Sequence, residues 1–318
     1  MIGEALIDLV PRDGPGDYRA HAGGSPFNVA VGLARLGNHT ALMARLADNG
    51  FGRLLREAAV AEGIDLGAAA QASEPTTLAV VSMDEAAHAT YDFYLEGTAD
   101  WHWTVPELER LPADTGVLHF GSIASWTPPG SDLIDQLVLR ARADGRMLVS
   151  YDPNVRPLVF GDRSHGRQLV ERSVRHAHVV KASREDLEWL YPHSVEQVAA
   201  RWNQLGPALV VVTDAAEGAI VYREGAEPLR RPGRPVQVAD TIGAGDAFTA
   251  GLLGGLVRRN LQAPEAVRAI SDAQLVDVVD EAVLVSALTC ERVGADPPRL
   301  AAADAGPRLL TVDDFAGA

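Results

Sequence analysis

Asp240-Thr241-Ile242-Gly243-Ala244-Gly245-Asp246-Ala247-Phe248 runs straight into a small-residue helical stretch through Gly251, Leu252 and Leu253. Its two glycines let the backbone turn so that the N–H groups of Gly243, Ala244 and Gly245 converge at a helix N-terminus, where the partial positive charge favours an anion. Asp246, one residue further on, then lies within reach of a hydroxyl brought up beside that anion. A hydroxyl that attacks a phosphoryl group has one proton to lose, and a placed carboxylate can accept it. Gly-Ala-Gly-Asp alone suits a glycine turn capping an ordinary helix just as well, because short glycine motifs recur by chance. The nine-residue run is far more specific.

Outward from that stretch, short apolar runs alternate with helical patterns, as expected of βαβ units around a mainly parallel sheet. Ala5 to Val10, Gly116 to Phe120, Met147 to Tyr151, His178 to Lys181 and Ala208 to Thr213 read as strands. A helix is expected after Ser25, with Ser25 as its cap, Pro26 at its first position, Val29, Leu33 and Leu36 on one face and Gly37 at its end. Another follows Ser131, with Leu133, Ile134, Leu137 and Val138 on one face and Gly145 beyond its end. Thr77 to Phe93 alternates with aromatics (Val81, Met83, Tyr91, Phe93), which suits antiparallel strands and a small lid sheet. Leu261 to Asp280 is acidic and mainly helical, and no internal repeat or linker stands out.

The chain has 318 residues, 47% of them hydrophobic, enough to bury a full core. Cys290 is the only cysteine, which excludes an intramolecular disulfide. No signal-like N-terminal segment and no apolar run of about 18 residues is seen, so a cytoplasmic location with no membrane partner is expected. With 43 acidic and 28 basic residues the formal charge is −15, which argues against a nucleic-acid partner. A polyanion such as ATP must then be met locally, by backbone N–H groups, a metal and a few placed cations. The nine histidines lack metal-ligand spacing, so no structural zinc is expected. A dinucleotide-type G-x-G-x-x-G after the first strand is absent.

The Asp-Thr-x-Gly-Ala-Gly-Asp run resembles the C-terminal signature of the ribokinase-like, PfkB-type carbohydrate kinases. Gly23-Gly24-Ser25-Pro26-Phe27-Asn28-Val29-Ala30, running on to Leu36-Gly37, looks like that family's N-terminal Gly-Gly signature. The resemblance spans nearly the whole chain, residues 1–318. It implies a three-layer α/β/α sandwich with a mainly parallel central sheet, and a small β lid built from about residues 9–22 and 77–100. A sugar would sit between lid and sheet, with ATP along the C-terminal half. Gly3-Glu4-Ala5-Leu6-Ile7-Asp8-Leu9, Asp152-Pro153-Asn154-Val155-Arg156-Pro157 and Ala287-Leu288-Thr289-Cys290 are closest in pattern to fructokinases.

On this resemblance Asp246 is the base, and Gly243, Ala244 and Gly245 form the anion hole. Asp8, Gly23, Gly24, Asn28 and Arg156 bind the sugar. A carboxylate inside an apolar strand needs a partner, and sugar hydroxyls would supply one to Asp8. Gly24 allows close backbone approach, and Asn28 lies one turn into the helix. Arg156 follows a strand end, where it serves either the phosphate and sugar or a surface salt bridge. Lys181, Ser183, Glu185, Thr213 and Gly218 would line ATP. Mg²⁺ is implied with the nucleotide. Where the family often has an acid three positions after Lys181, this chain has Arg184, so either Glu185 supports a water-bound magnesium or ATP and water hold it. Asp240, with carbonyls of the Ala287 to Gly294 loop, would take a monovalent cation such as K⁺. A homodimer through the lid is also implied.

Fructose is the leading acceptor. The family's fructokinases often carry an Arg after the lid's Phe-Tyr pair, whereas Phe93-Tyr94 is followed here by Leu95. That keeps 2-keto-3-deoxygluconate, ribose or a nucleoside open as acceptors, and beyond them a binding protein without turnover. Trp101, Trp103 and Trp126 suit core packing better than a sugar wall. Relatives usually carry apolar residues before the Gly3-Glu4 pair, which implies either a short first strand or an upstream start.

Overall fold

The computed structural model describes residues 1–12, 16–83, 89–302 and 306–316. Its strands among these residues are β1 (Leu6–Pro11), β2 (Tyr18–Gly23), β3 (Arg45–Ala47), β4 (Ala70–Ala72), β5 (Leu78–Met83), β6 (Ala89–Tyr94), β7 (Val117–Gly121), β8 (Leu148–Asp152), β9 (Val179–Ser183), β10 (Leu209–Thr213), β11 (Ala219–Tyr222) and β12 (Leu229–Arg231). Its α-helices are α1 (Ser25–Arg35), α2 (Gly50–Ala61), α3 (Val105–Leu108), α4 (Gly130–Asp144), α5 (Pro157–Phe160), α6 (Arg163–His176), α7 (Arg184–Leu190), α8 (Val195–Leu205), α9 (Ala244–Arg258), α10 (Pro264–Arg268) and α11 (Asp272–Cys290). Each of the five strands read from the sequence begins one residue later than its apolar run.

The central sheet has the order β12-β11-β10-β9-β8-β7, parallel from β7 to β10 and antiparallel at β11 and β12. Single-residue parallel bridges extend it past β7, from Phe120 to Ile2 and from Ile2 to Met43. Val149, Val180, Val210 and Val212 face one core with residues of α4, α6, α7 and α8. Leu148, Val179, Leu209 and Val211 face a second core with residues of α1, α9, α10 and α11. Strands apolar on both faces are what a sheet covered by helices on both sides requires. The result is an α/β/α sandwich. The acidic stretch from Leu261 to Asp280 turns out to be α10 and the first half of α11, which packs along α9. Fully buried Glu281 of α11 pairs there with Arg258 and Arg259.

The smaller sheet has the order β2-β1-β5-β6. The first strand therefore departs from expectation, since β1 lies in the lid and not among the parallel strands of the central sheet. Among the described residues, the segment before β1 bridges to the central sheet at Ile2, and Ala5 then donates its N–H to Asp100 Oδ1 (3.0 Å) where the backbone passes into the lid. The antiparallel pairing expected of Thr77 to Phe93 is found between β5 and β6, while residues 13–15 and 84–88 and the side chains of Met83, Ala89 and Thr90 lie outside the described residues. Trp101, Trp103 and Trp126 are buried in the core, as their size favours.

Close approach of α9 and α11 sets where the N-terminus of α9 points. A Cβ built on Gly251 would stand 2.7 Å from the Ala282 backbone, so the helices meet at a distance only glycine permits. Gly251→Val should force them apart and destabilise the protein by about 3 kcal/mol, read as a lowered midpoint in urea unfolding; an unchanged midpoint would mean that the pair repacks freely.

Candidate active site

Asp246 is the third residue of α9, whose N-cap Gly243 adopts the left-handed conformation (φ 75°). That conformation costs a non-glycine residue about 1 kcal/mol or more, and a Cβ here would also meet Ala295 at 2.6 Å. The turn differs from expectation in one respect. Ala244 donates its N–H back to Thr241 O (3.2 Å), while the N–H groups of Gly243 and Gly245 have no protein acceptor among the described residues. Two of the three N–H groups expected to meet an anion are therefore left open, because the 241–244 turn closes on itself.

The Asp246 carboxylate is held from α1. Ser25 Oγ donates to Oδ1 (2.6 Å) and Asn28 Nδ2 donates to Oδ2 (2.9 Å). Ser25 was expected to cap α1, but Gly24 (φ 99°) occupies the cap position and makes no side-chain cap. The serine hydroxyl, inside the first turn, serves the opposite half of the chain. Burial raises the Asp246 pKa; the Ser25 and Asn28 hydrogen bonds oppose the rise, nearby Asp152 adds to it and Lys181 opposes it. A carboxylate poised upward accepts a proton more readily.

A cavity of about 480 Å³ opens between the lid and the C-terminal ends of the central strands. Asp8, Gly24, Asn28, Asn154 and Arg156 line it with Gly243, Gly245 and Asp246, and Leu6, Tyr91, Phe93 and Ile123 give it apolar walls. A larger hollow of about 700 Å³ lies elsewhere, beside Met1, Leu36, His39, Val117 and Arg258. It contains none of the glycine turn, so the smaller cavity is the candidate site.

Asp8 accepts no hydrogen bond from the described residues, which leaves its oxygens for something in the cavity. Burial pushes its pKa up to about 6; Asp246 adds to the rise and Arg156 opposes it. Gly23, paired opposite Leu6 on β2, makes room for that carboxylate, since a Cβ there would stand 2.0 Å from Asp8 Oδ2. A Cβ on Gly24 would meet Glu4 O at 2.7 Å. Arg156 is anchored by Asn154 Oδ1 (2.7 Å) and forms no ion pair among the described residues, so the surface salt bridge weighed for it is not found. Glu4 also lines the cavity and was not singled out from the sequence; it is buried and accepts the Ala124 N–H (3.0 Å). Only its place beside Gly3 at a sheet–lid junction could have marked it.

The residues expected to line ATP lie at the C-terminal ends of β9 and β10, where Ser183 pairs with Thr213. Open α/β sheets gather ligands at such ends. Gly218 (φ 98°) turns the chain between β10 and β11. Ser183 caps α7, its Oγ accepting the Asp186 N–H (3.0 Å). Lys181 does not line the cavity; it is buried and its Nζ donates to Asp152 Oδ2 (2.9 Å). Arg184 turns outward to Asp214 (2.7 Å). Glu185 is exposed, and the inward acid of that helical turn is Asp186, which the sequence reading passed over. Both Asp186 oxygens accept backbone N–H groups, from Val155 and from Ser183. Asp240 likewise accepts from Ile242 (3.0 Å) and Gly294 (2.8 Å), tying the loop after α11 to the glycine turn. Among the described residues no three His, Cys, Asp or Glu side chains converge as a metal site.

Residues 1–302 match the pfkB family carbohydrate kinases. A fructokinase of Rhizobium leguminosarum bv. trifolii is 37% identical over 277 residues, covering 86% of this chain and 84% of the relative. The fructokinase of Vibrio cholerae O395, solved with fructose, ADP and calcium ion, superposes with a TM-score of 0.79 at 31% identity and 92% coverage of both chains. Aminoimidazole riboside kinase from Salmonella enterica, solved with aminoimidazole riboside and an ATP analogue, gives 0.78 at 26% identity, covering 92% of this chain and 93% of that one. The chain belongs to the pfkB carbohydrate kinase family and is an ATP-dependent sugar kinase, a phosphotransferase with an alcohol as acceptor.

Proposed function

We propose that the acceptor is fructose, phosphorylated in line by ATP with Asp246 as the base. The observation that carries this reading is the cavity in which unpartnered Asp8 and anchored Arg156 share one space with Asp246 and the glycine turn. A hexose there presents hydroxyls to Asp8, Asn28 and Arg156 and one face to Tyr91 and Phe93. Asp246 takes the proton of the attacking hydroxyl as its oxygen bonds to the γ-phosphorus and the bond to the β,γ-bridging oxygen breaks, releasing ADP. The free N–H groups of Gly243 and Gly245 meet the charge building on the phosphoryl oxygens, usually the largest catalytic contribution. Magnesium, carried on the triphosphate, would offset part of that charge. The fructokinases at 37% and 31% identity support fructose. Leu95 in place of the fructokinases' Arg, together with the likeness to a riboside kinase, favours a riboside or nucleoside as the second reading.

ATP consumption across fructose, ribose, 2-keto-3-deoxygluconate, tagatose and adenosine, with Mg²⁺ and with or without K⁺, tests the choice. Fructose is expected to lead by orders of magnitude in kcat/KM, and a riboside in front would replace it. Asp246→Asn should lower kcat about 10²–10⁴-fold with fructose binding kept within a few-fold; near-normal turnover would remove the base.

Asp8 gives a pH test. Its folded pKa, about 6, lies above its ordinary value of 3.8, so between those pH values the folded protein holds more protons than the unfolded one. Stability attributable to Asp8 therefore falls as pH rises through that window. Asp8→Asn should be more stable than the parent by roughly 1–3 kcal/mol at pH 7 and lose the advantage below pH 4, in urea titrations at both values. The fructose KM of the parent should rise as pH drops below 6, whereas that of the variant should be high and flat; parallel profiles would take Asp8 out of the sugar site.

A further inference from the structure

Lys181 is nearly inaccessible, at 5% exposure, and so is the Asp152 it meets, at 1%. The pair spans adjacent parallel strands, β9 and β8, directly behind the glycine turn. Asp152 Oδ2 accepts from Lys181 Nζ (2.9 Å) and from Thr249 Oγ1 of α9 (3.5 Å), while Oδ1 accepts the Asn154 N–H (3.0 Å). A Cβ built on Gly245 would stand 3.0 Å from Nζ, so the ammonium abuts a residue that lines the cavity and whose N–H has no acceptor among the described residues. Lys181 makes this one hydrogen bond among the described residues, leaving the ammonium's other protons unpartnered. Burying such a pair is costly, and an apolar pair of similar volume would hold two strands together as well or better. A structural role alone therefore gives a poor account of it.

We propose that Lys181, held by Asp152, is a positioning residue for phosphoryl transfer: a fixed cation beneath Gly245 that strengthens the anion-binding turn and counterbalances Asp246. This rests on the kinase reading above. The ammonium cannot touch the substrate through the turn, so it acts by potential, which low-dielectric surroundings transmit well. The charged and polar groups facing Asp246 are Ser25 and Asn28 from α1, Asp8 from β1, Asp152 from β8 and Lys181 from β9; Asp186 of α7 faces Lys181, and Arg156 faces Asp8. Burial works against the ammonium, yet Asp152, Asp186 and Asp246 outweigh it and hold the Lys181 pKa above its ordinary value, so the cation persists across the working range. Lys181 draws the Asp246 pKa down and Asp152 pushes it up. Removing one or the other should therefore move the acidic limb of the rate profile in opposite directions, which a merely structural pair would not do.

The test is a cycle of Lys181→Met, Asp152→Asn and the double variant, with kcat, KM, pH profile and thermal midpoint measured on the full chain with ATP, Mg²⁺ and the preferred sugar. Lys181→Met should lower kcat roughly tenfold to a hundredfold, leave the sugar KM within about threefold, and move the acidic limb of kcat/KM to higher pH; Asp152→Asn should move it lower. The double variant, neutral and close in volume, keeps the measurement possible if either single variant folds poorly. Its limb should return close to the parent's while kcat stays low, because the cation is gone. Parent-like kcat in the double variant, or limbs that do not move in folded single variants, would overturn the proposal and leave the kinase reading intact. A parent chain silent toward every sugar would overturn the kinase reading, and this inference with it.

Discussion

The hydrogen bonds from Ser25 and Asn28 to the Asp246 carboxylate hold the rest of the site in place. They join residues 218 and 221 positions apart, and they fix the N-terminus of α9 against the first turn of α1. Because Gly24 caps α1 and Gly243 caps α9, two backbone turns that only glycine adopts easily face each other across one carboxylate. Ser25, Asn28 and Asp246 all line the cavity at that junction. Gly23 and Gly24 bring β2 against Asp8 and Glu4, while Gly251 lets α11 close behind α9.

Charge is the second constraint. A chain of net charge −15 that must admit a triphosphate also gathers Glu4, Asp8, Asp152, Asp186 and Asp246 around one region. Repulsion among them is relieved in two ways. Asp152, Asp186 and Asp246 accept two or more hydrogen bonds each, which spreads their charge onto N–H and O–H groups. Asp8 is left without such bonds, and burial with the nearby Asp246 charge pushes its pKa up to about 6. Lys181 and Arg156 are the cations placed among these acids, one sealed behind the turn and one open to the cavity. Those two cations and the open N–H groups of Gly243 and Gly245 are the groups there that attract an anion against the overall field.

Much of this was legible in the sequence, and for identifiable reasons. The glycine turn with Asp246, the capped parallel strands, the lid pairing of Thr77 to Phe93 and the burial of the tryptophans all follow from local rules: periodicity, turn chemistry and side-chain size. Local rules also account for the misreadings. Ser25 looks like a cap because serine before proline usually is one, and nothing near it in sequence announces Asp246. Ala5 to Val10 looks like a central strand because its apolar run is the same whether it pairs with β7 or with β2 and β5.

By itself, then, the sequence determined the class of fold, the glycine turn and the sugar-kinase family, since each is carried by motifs whose residues lie close together along the chain. The tertiary structure alone decided which acid of α7 points inward, why Lys181 is out of the cavity, which N–H of the turn closes on itself, and that Glu4 reaches the site. Those outcomes depend on contacts between distant segments, where a rotation of one helix position or a shift between sheets changes the partner without changing the local pattern.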